Sequence, residues 1–417
     1  MIELSLARVS RLIQPSSLSW KAVHIAGTNG KGSITSYISG LLAAAGVRTG
    51  RFTSPHLIDR WDCIAVGEEM VTESLFRQIE GEVKQRDRRL GIGATEFELL
   101  TAVAFEIFNR ERVEVGVVEV GMGGRLDATN ILSDVLVSVI SKIGLDHEAF
   151  LGNSLQAIAR EKAGILKKGV PCVVDGTNDE EVLQVIQARA QELAIDATIA
   201  DSNTVGQKIP TLARIFEELQ LEPHQRANMA CAVLAVQKAL TQMLRENSID
   251  DLLPILSRIR WPGRLQDITV RPLVSREEPV LIDGAHNSQS ADVLGKYVDR
   301  KLRQSGRSVT WTIAMSDGKN SSEILEPLIQ PGDNVAIVAF GPVDGMPWVK
   351  AMDTIQLTEH IQSIRGVAQV KSFGPDIPRA MRWASEIAKG GPWVIAGSLY
   401  LVSDIFRLLR ENQVQDK

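Results

Sequence analysis

Lys31 sits in a glycine-rich run, "HIAGTNGKGS" from His24 to Ser33. A lysine in that setting does phosphate chemistry. The usual phosphate-loop spelling puts a hydroxyl residue directly after the lysine; here Gly32 intervenes and the hydroxyl belongs to Ser33. A strand-like segment, "KAVHIA", leads into the run, and a helical pattern, "SITSYISGLLAAAG", leaves it. Thr28, Asn29, Gly30, Lys31, Gly32 and Ser33 would then offer an anion several backbone N–H groups at the positive end of a helix. Lys31 adds a point charge for the β- and γ-phosphates. The competing reading is a glycine turn that holds no ligand.

Carboxylates stand where such a loop needs them. Glu119 closes the valine-rich run "VGVVEV" just before a second glycine stretch, at the strand end where α/β proteins bind ligands. A carboxylate there suits Mg²⁺, which takes oxygen ligands; the alternative is a solvated turn residue. Asp127 in "GGRLDATN" follows with glycines that permit close backbone approach, so this stretch can line a pocket. Thr95 to Glu98 has the spacing of a helix capping box. Taken alone, His147 reads as a structural or surface histidine, Lys162 as an exposed helix lysine, and Asn228 as a polar residue on the outer face of its helix.

These residues are set among alternating strand and helix patterns. Helical spacing recurs in "TEFELLTAVAFEIF", "SLQAIAREKAGIL", "DEEVLQVIQARAQELA" and "QRANMACAVLAVQKALTQML". Between them lie the strand-like runs "DVLVSVIS" and "PCVVDG". The pattern breaks near residues 202–222. A second alternating set, from "VLIDGA" to "WVIAGSLYLV", follows "RWPGRLQDITVRPLVSREEP". This order predicts an α/β protein with mainly parallel sheets. Residues 1–267 form the first domain, 268–276 a short charged linker, and 277–417 a smaller Rossmann-like domain. A cleft between the two is expected.

The chain has 417 residues, with 46 basic and 51 acidic side chains and a net charge of −5. There is no basic surplus, so no nucleic-acid partner is expected. No apolar run reaches the roughly 18 residues of a membrane span. Cys63, Cys172 and Cys231 lie far apart, show no metal-ligand spacing and read as small core residues in a reducing compartment. The N-terminus lacks the pattern of a secretory signal; Ile2, Leu4, Val9 and Leu12 fit an amphipathic helix. A monomer in the cytoplasm is expected, with a mitochondrial location left open.

"GTNGKGS" is the spelling of the Mur ligase superfamily. "TSPHL", "TEFELL", "EVGMGGRLDATN", "LDHEAFLG", "EKAGI", "WPGRL", "DGAHN" and "GSLYL" occur in the order found in its folylpolyglutamate synthetase / dihydrofolate synthetase family. The resemblance covers nearly the whole chain. The stretches 94–102, 144–152 and 343–348 look most like the fungal members that make dihydrofolate.

The resemblance implies a two-domain Mur ligase-like fold with an N-terminal P-loop ATPase domain. It also implies a reaction in which ATP phosphorylates a carboxylate and the amine of L-glutamate attacks the acyl phosphate. Dihydropteroate would be the acceptor and dihydrofolate the product, the alternative being glutamate addition to reduced folates. The phosphate loop, Asn228, Arg264 and Asp283 would bind ATP. Ser54, Glu119 and His147 would hold Mg²⁺. Lys162, carbamylated, would hold a second ion. Thr95, Glu96, Phe97, Glu98, Leu126, Asp127 and Ala128 would hold the pterin, and His286 and Ser398 the glutamate. Lys31, Glu119, His147 and Lys162 carry the catalytic roles. A P-loop kinase or NTPase switch would leave the second α/β domain without a purpose, and a nucleotide-binding pseudoenzyme would not need the metal-bridging set.

Overall fold

The computed structural model describes residues 5–13, 17–304 and 306–415. The chain divides into two compact units, residues 1–56 with 61–261, and residues 57–60 with 262–417. The division falls at Trp261/Pro262, ahead of the segment expected as a linker. Residues 266–276 belong to the second unit, because a strand there is paired into its sheet. Val270 and Val274 are also buried in its core.

The first unit is built on an eight-stranded sheet. In chain order its strands are β1 (Lys21–Ala26), β2 (Thr49–Phe52), β3 (Ile64–Val66), β4 (Glu69–Met70), β5 (Val115–Glu119), β6 (Val135–Ile140), β7 (Cys172–Asp175) and β8 (Ala197–Ala200). They lie in the order β4-β3-β2-β5-β1-β6-β7-β8. All neighbours from β2 to β8 run parallel, while β3 and β4 add an antiparallel edge. β5 and β6 are buried at every residue, and β1 at all but Lys21. Central strands of a parallel sheet are covered on both faces and therefore read as continuous valine and isoleucine.

Helices Lys31–Ala44 and Pro223–Gln242 contribute to the core on one face, and Glu73–Leu90 and Glu96–Arg110 to that on the other. The interrupted stretch near 202–222 holds two short helices, Ser202–Lys208 and Pro210–Glu218. Near the N-terminus, Leu6–Leu12 is a helix that buries Val9 and Leu12, as its pattern predicts; Ile2 and Leu4 lie outside the described residues. Cys63, Cys172 and Cys231 are all buried.

The second unit carries β9 (Gln266–Ile268), β10 (Val280–Ile282), β11 (Thr310–Ile313), β12 (Asn334–Ile337), β13 (Gln369–Ser372) and β14 (Trp393–Ala396). Their order is β13-β12-β11-β14-β10-β9, parallel throughout except for β9. Both units are thus α/β with parallel-dominated sheets, the predicted fold class. Among the described residues, no helix is long and apolar enough to cross a membrane.

Candidate active site

Three neighbouring central strands, β5, β1 and β6, deliver the chemistry of the first unit. The connection after β1 is the glycine loop, Glu119 ends β5, and the segment holding His147 follows β6. β5 and β6 flank β1 on opposite sides, so the strand order reverses there, and such a point opens a crevice at the carboxyl edge of the sheet.

The glycine loop is braced from below. The N–H groups of Thr28 and Asn29 both donate to the Lys142 carbonyl, at 2.9 and 3.0 Å. The Thr28 hydroxyl donates to the Gly144 carbonyl at 3.0 Å and accepts from the Gly144 N–H at 3.1 Å. The amides of Thr28 and Asn29 therefore shape the loop rather than face an anion. The donors left for an anion are those of the first turn of helix Lys31–Ala44, where N–H groups lack intrahelical partners. Gly30 caps this helix in the left-handed region (φ 89°), and a Cβ there would lie 2.2 Å from Asn228 Oδ1. Asn228 is buried against the loop, not set on the outer face of its helix.

Gly32, the residue that breaks the usual spelling, has a specific neighbour. A Cβ on it would meet the indole of Trp261 at 2.7 Å. The Arg51 guanidinium lies over the same indole, 5.4 Å from its centroid. The extra glycine is thus the space that the Trp261 ring occupies.

Charge converges at this edge. Lys31 Nζ lies 3.7 Å from Glu119 Oε1 and donates to the Thr28 carbonyl at 3.2 Å. Glu119 is buried, so it is no solvated turn residue. Lys162 is only 4% exposed, on helix Leu155–Ala163, which overturns its reading as a surface lysine. Its Nζ donates to the Gly27 carbonyl at 2.7 Å. Burial, reinforced by the charge of Lys31, pushes the Lys162 amine down to about 7, against the weaker pull of Asp146 and Asp127. A buried amine beside another cation is favoured in its neutral form.

Asp127 closes the loop after β5. Its Oδ1 accepts from Thr129 N–H at 3.0 Å and from the Thr129 hydroxyl at 2.5 Å, and its Oδ2 accepts from Met122 N–H at 2.9 Å. Burial raises its acid range, and these donors oppose the shift. Leu126 is half-buried and Ala128 buried. The 95–98 segment lies beside this loop, because a Cβ on Gly121 would sit 2.4 Å from the Phe97 ring.

Thr95 and Glu98 form the predicted capping box, and Glu98 is buried and paired with Arg8 at 3.0 Å. Its Oε2 accepts from both Thr95 N–H, at 2.7 Å, and Arg8 Nε. Glu96 is half-buried at the first turn. Ser54 is half-buried just past β2, and His147 is exposed in the left-handed region (φ 54°), capping helix Glu148–Leu151. Among the described residues, no three His, Cys, Asp or Glu side chains gather as a metal-binding group.

In the second unit, Asp283 follows β10 and Ser398 follows the adjacent parallel strand β14. Buried Asp283 accepts from Leu265 N–H at 2.7 Å and Ala285 N–H at 2.8 Å. Burial raises its acid range, and Arg264 opposes that. The Arg264 guanidinium occupies the place of a Cβ on Gly284, whose carbonyl meets His286 Nδ1 at 2.7 Å. Ser398 is buried, and its hydroxyl accepts from Tyr400 N–H at 3.1 Å.

The family model "Dihydrofolate synthetase, C-terminal domain" matches residues 266–408. The chain is 40% identical to "Probable dihydrofolate synthetase" of Schizosaccharomyces pombe, over 98% of this chain and 99% of that one. It is 34% identical to "Dihydrofolate synthetase" of Saccharomyces cerevisiae, over 98% of each. The chain belongs to the dihydrofolate synthetase / folylpolyglutamate synthase family. Against "Probable folylpolyglutamate synthase" of the same yeast the identity is 27%, over 97% of this chain and 96% of that one.

Solved structures align along the whole length. "Mycobacterium tuberculosis Folylpolyglutamate synthase complexed with ADP" has a TM-score of 0.80 at 25% identity, covering 98% and 95% of the two chains. "E.coli FolC in complex with DHPP and ADP" gives 0.78 at 25% identity, covering 99% and 94%. A "bifunctional folylpolyglutamate synthase/dihydrofolate synthase with Mn, AMPPNP and L-Glutamate bound" gives 0.78 at 26%, covering 98% and 95%.

Three residues of this family member lie at the site without having been singled out by the motifs. Trp261 is visible in "WPGRL", but nothing in sequence spacing joins it to Gly32. Arg51 stands on a strand too short to recognise. His24 opens the glycine-loop stretch, and its Nε2 is 2.8 Å from Thr129 Oγ1.

Two predictions follow from this packing and burial. Gly32→Ala is expected to destabilise the first unit by about 1–3 kcal/mol through overpacking. In a Trp261→Ala background the same change costs less than ~0.5 kcal/mol, as a double-mutant cycle by denaturant unfolding will show. Lys162 binds its proton below about 7 in the folded chain and below 10.5 when unfolded. Between those values only the unfolded state is protonated, so stability rises with pH, by up to ~1.4 kcal/mol per unit from this group. The contribution is complete above 10.5 and is lost as pH falls through 7. Lys162→Met should flatten that slope in bicarbonate-free buffer.

Proposed function

We propose that this protein is a dihydrofolate synthase, joining one L-glutamate to 7,8-dihydropteroate at the expense of ATP and giving 7,8-dihydrofolate, ADP and phosphate. The observation that carries the reading is the convergence of Lys31, Glu119 and Lys162 on one glycine loop, in a chain related along its whole length to enzymes named for this activity. Folylpolyglutamate synthesis is the second reading. It is favoured less, because identity to the two Saccharomyces cerevisiae proteins is 34% for the dihydrofolate synthetase and 27% for the folylpolyglutamate synthase.

The chemistry sets two tasks. A carboxylate must approach the γ-phosphate of ATP, which brings anions together, so the site must supply positive charge. Lys31 and the N–H groups of the first helical turn do so at the phosphates. The acyl phosphate that forms must then meet the amine of glutamate before water does. On this reading the 95–98 segment and the 126–128 stretch hold the pterin end, with Asp127 facing its donor edge. Asn228, Arg264 and Asp283 attend the nucleotide, and Arg264 offsets charge on the transferred phosphoryl group. His286 and Ser398 attend the incoming glutamate.

A divalent metal fits the donors present. The buried carboxylate of Glu119 and the hydroxyl of Ser54 are hard oxygen ligands suited to Mg²⁺, and exposed His147 offers a ring nitrogen. Mg²⁺ would supply charge neutralisation at the phosphates. Lys162 as an amine donates to the Gly27 carbonyl and cannot bind a cation. An amine that is half neutral near pH 7 is, however, a nucleophile for CO₂. Carbamylation would turn it into an anion beside Lys31, able to hold a second ion.

Three outcomes are expected. Lys31→Ala lowers turnover on the order of 10³-fold with thermal unfolding unchanged; near-normal ligation by the folded variant contradicts the loop assignment. Lys162→Ala is inactive and is partly restored by short-chain carboxylic acids, whereas rescue by added amines alone would contradict the carbamate. Chromatography of products from dihydropteroate and tetrahydrofolate, offered separately, gives dihydrofolate with one glutamate. A ladder of di- and triglutamates from tetrahydrofolate, formed as fast, would assign the polyglutamate activity instead.

A further inference from the structure

His24 is fully buried on β1, between the apolar residues Val23 and Ile25. Its Nε2 lies 2.8 Å from Thr129 Oγ1, and Thr129 Oγ1 lies 2.5 Å from Asp127 Oδ1. The direction of this chain is fixed. A carboxylate only accepts, so the one proton of the Thr129 hydroxyl goes to Asp127. The hydroxyl oxygen then accepts, and His24 must donate from Nε2–H.

The other ring nitrogen, Nδ1, is buried and has no hydrogen-bonding partner among the described residues. Burial, with the charge of Lys167 nearby, holds the ring neutral, its pKa down at about 3. A buried polar atom without a partner costs free energy, and an apolar side chain like its neighbours would avoid that cost. Positions that break a local rule are expected to be functional or strained. What the histidine supplies here is the Nε2–H.

We infer that His24 is a positioning residue for the Asp127 carboxylate that faces the pterin, acting through the Thr129 hydroxyl. With the oxygen of Thr129 occupied by His24, its O–H points at Asp127 Oδ1. The Thr129 amide binds the same oxygen at 3.0 Å. These two donors fix which way the carboxylate plane turns, and Met122 N–H holds Oδ2 at 2.9 Å. A planar ring with adjacent N–H donors needs that plane fixed, because bidentate pairing depends on orientation as well as charge. β1 runs on from His24 into the glycine loop, so one strand anchors the phosphate loop and orients Asp127. The inference rests on the proposed role of Asp127 toward the pterin.

Steady-state kinetics of the full-length protein test it, with thermal unfolding as the control for folding. His24→Leu and Thr129→Val are each expected to raise KM for dihydropteroate about tenfold. kcat and KM for ATP should stay within about twofold, and the double variant should be no worse than the poorer single one. His24→Gln, which can present an N–H at the Nε2 position, should restore most of the lost affinity. A general structural defect would not separate the two substrates or be reversed by glutamine. If His24→Leu does not fold, Thr129→Val carries the same comparison.

Asp127→Asn separates this inference from the reading beneath it. If Asp127→Asn raises KM for dihydropteroate while folded His24→Leu or Thr129→Val leaves it unmoved, the positioning role is overturned and the pterin role stands. If Asp127→Asn also leaves it unmoved, both are overturned.

Discussion

An amine withdrawn from water beside a second amine is an expensive arrangement, and the centre of the first unit is built around one. Lys162 reaches the Gly27 carbonyl while feeling the charge of Lys31, which itself faces buried Glu119. Asp146 and Asp127 offset part of the repulsion. Two lysines and a carboxylate so placed make a site whose net charge is easily shifted by an arriving anion, a divalent cation or carbamylation of one amine. Perturbed groups at the carboxyl edge of a parallel sheet make this cluster the candidate for the catalytic centre.

The sheet makes that placement affordable. β1, β5 and β6 are side by side, parallel and buried, so the loops after them start from fixed points. The bracing of Thr28 and Asn29 on the Lys142 carbonyl ties the loop after β1 to the segment after β6. The Trp261 ring against Gly32 and the Asn228 amide against Gly30 then fix the loop from the helix side. A side chain at either glycine would have to displace a neighbour. This is the physical reason that the hydroxyl waits until Ser33.

Much of this was legible in the sequence. The central strands declared themselves through valine runs with Glu119 at the end of one, the capping box at Thr95–Glu98 through its spacing, and the glycine loop through its flanking patterns. Burial was what the residues alone misjudged. Lys162 and Asn228 look like solvent-facing helix residues, since nothing local to "AREKAGI" or "HQRANMA" reveals that both helices turn that face inward toward the loop. The strands β2, β3 and β4 are two to four residues long, too short for a period to show. β8 follows a helix without the apolar density of the central strands. β9 straddled the expected boundary, Gln266 and Asp267 falling in the first domain and Ile268 in the linker, because its three residues are made a strand by pairing with β10, a long-range contact that no local pattern encodes. The ion pair of Glu98 with Arg8 was not legible either, because a partner 90 positions away in sequence has no local signature.

The central claim is that this site carries a carboxylate to ATP and releases it as an acyl phosphate to glutamate. Dihydropteroate labelled with ¹⁸O in its carboxyl group tests that directly. In the proposed sequence a carboxylate oxygen attacks the γ-phosphorus and becomes the bridging oxygen. Attack of the glutamate amine on the carbonyl carbon then expels that oxygen with phosphate. ³¹P NMR of the inorganic phosphate should therefore show one ¹⁸O per phosphate formed, in step with dihydrofolate. Unlabelled phosphate accompanying normal dihydrofolate formation would contradict the account.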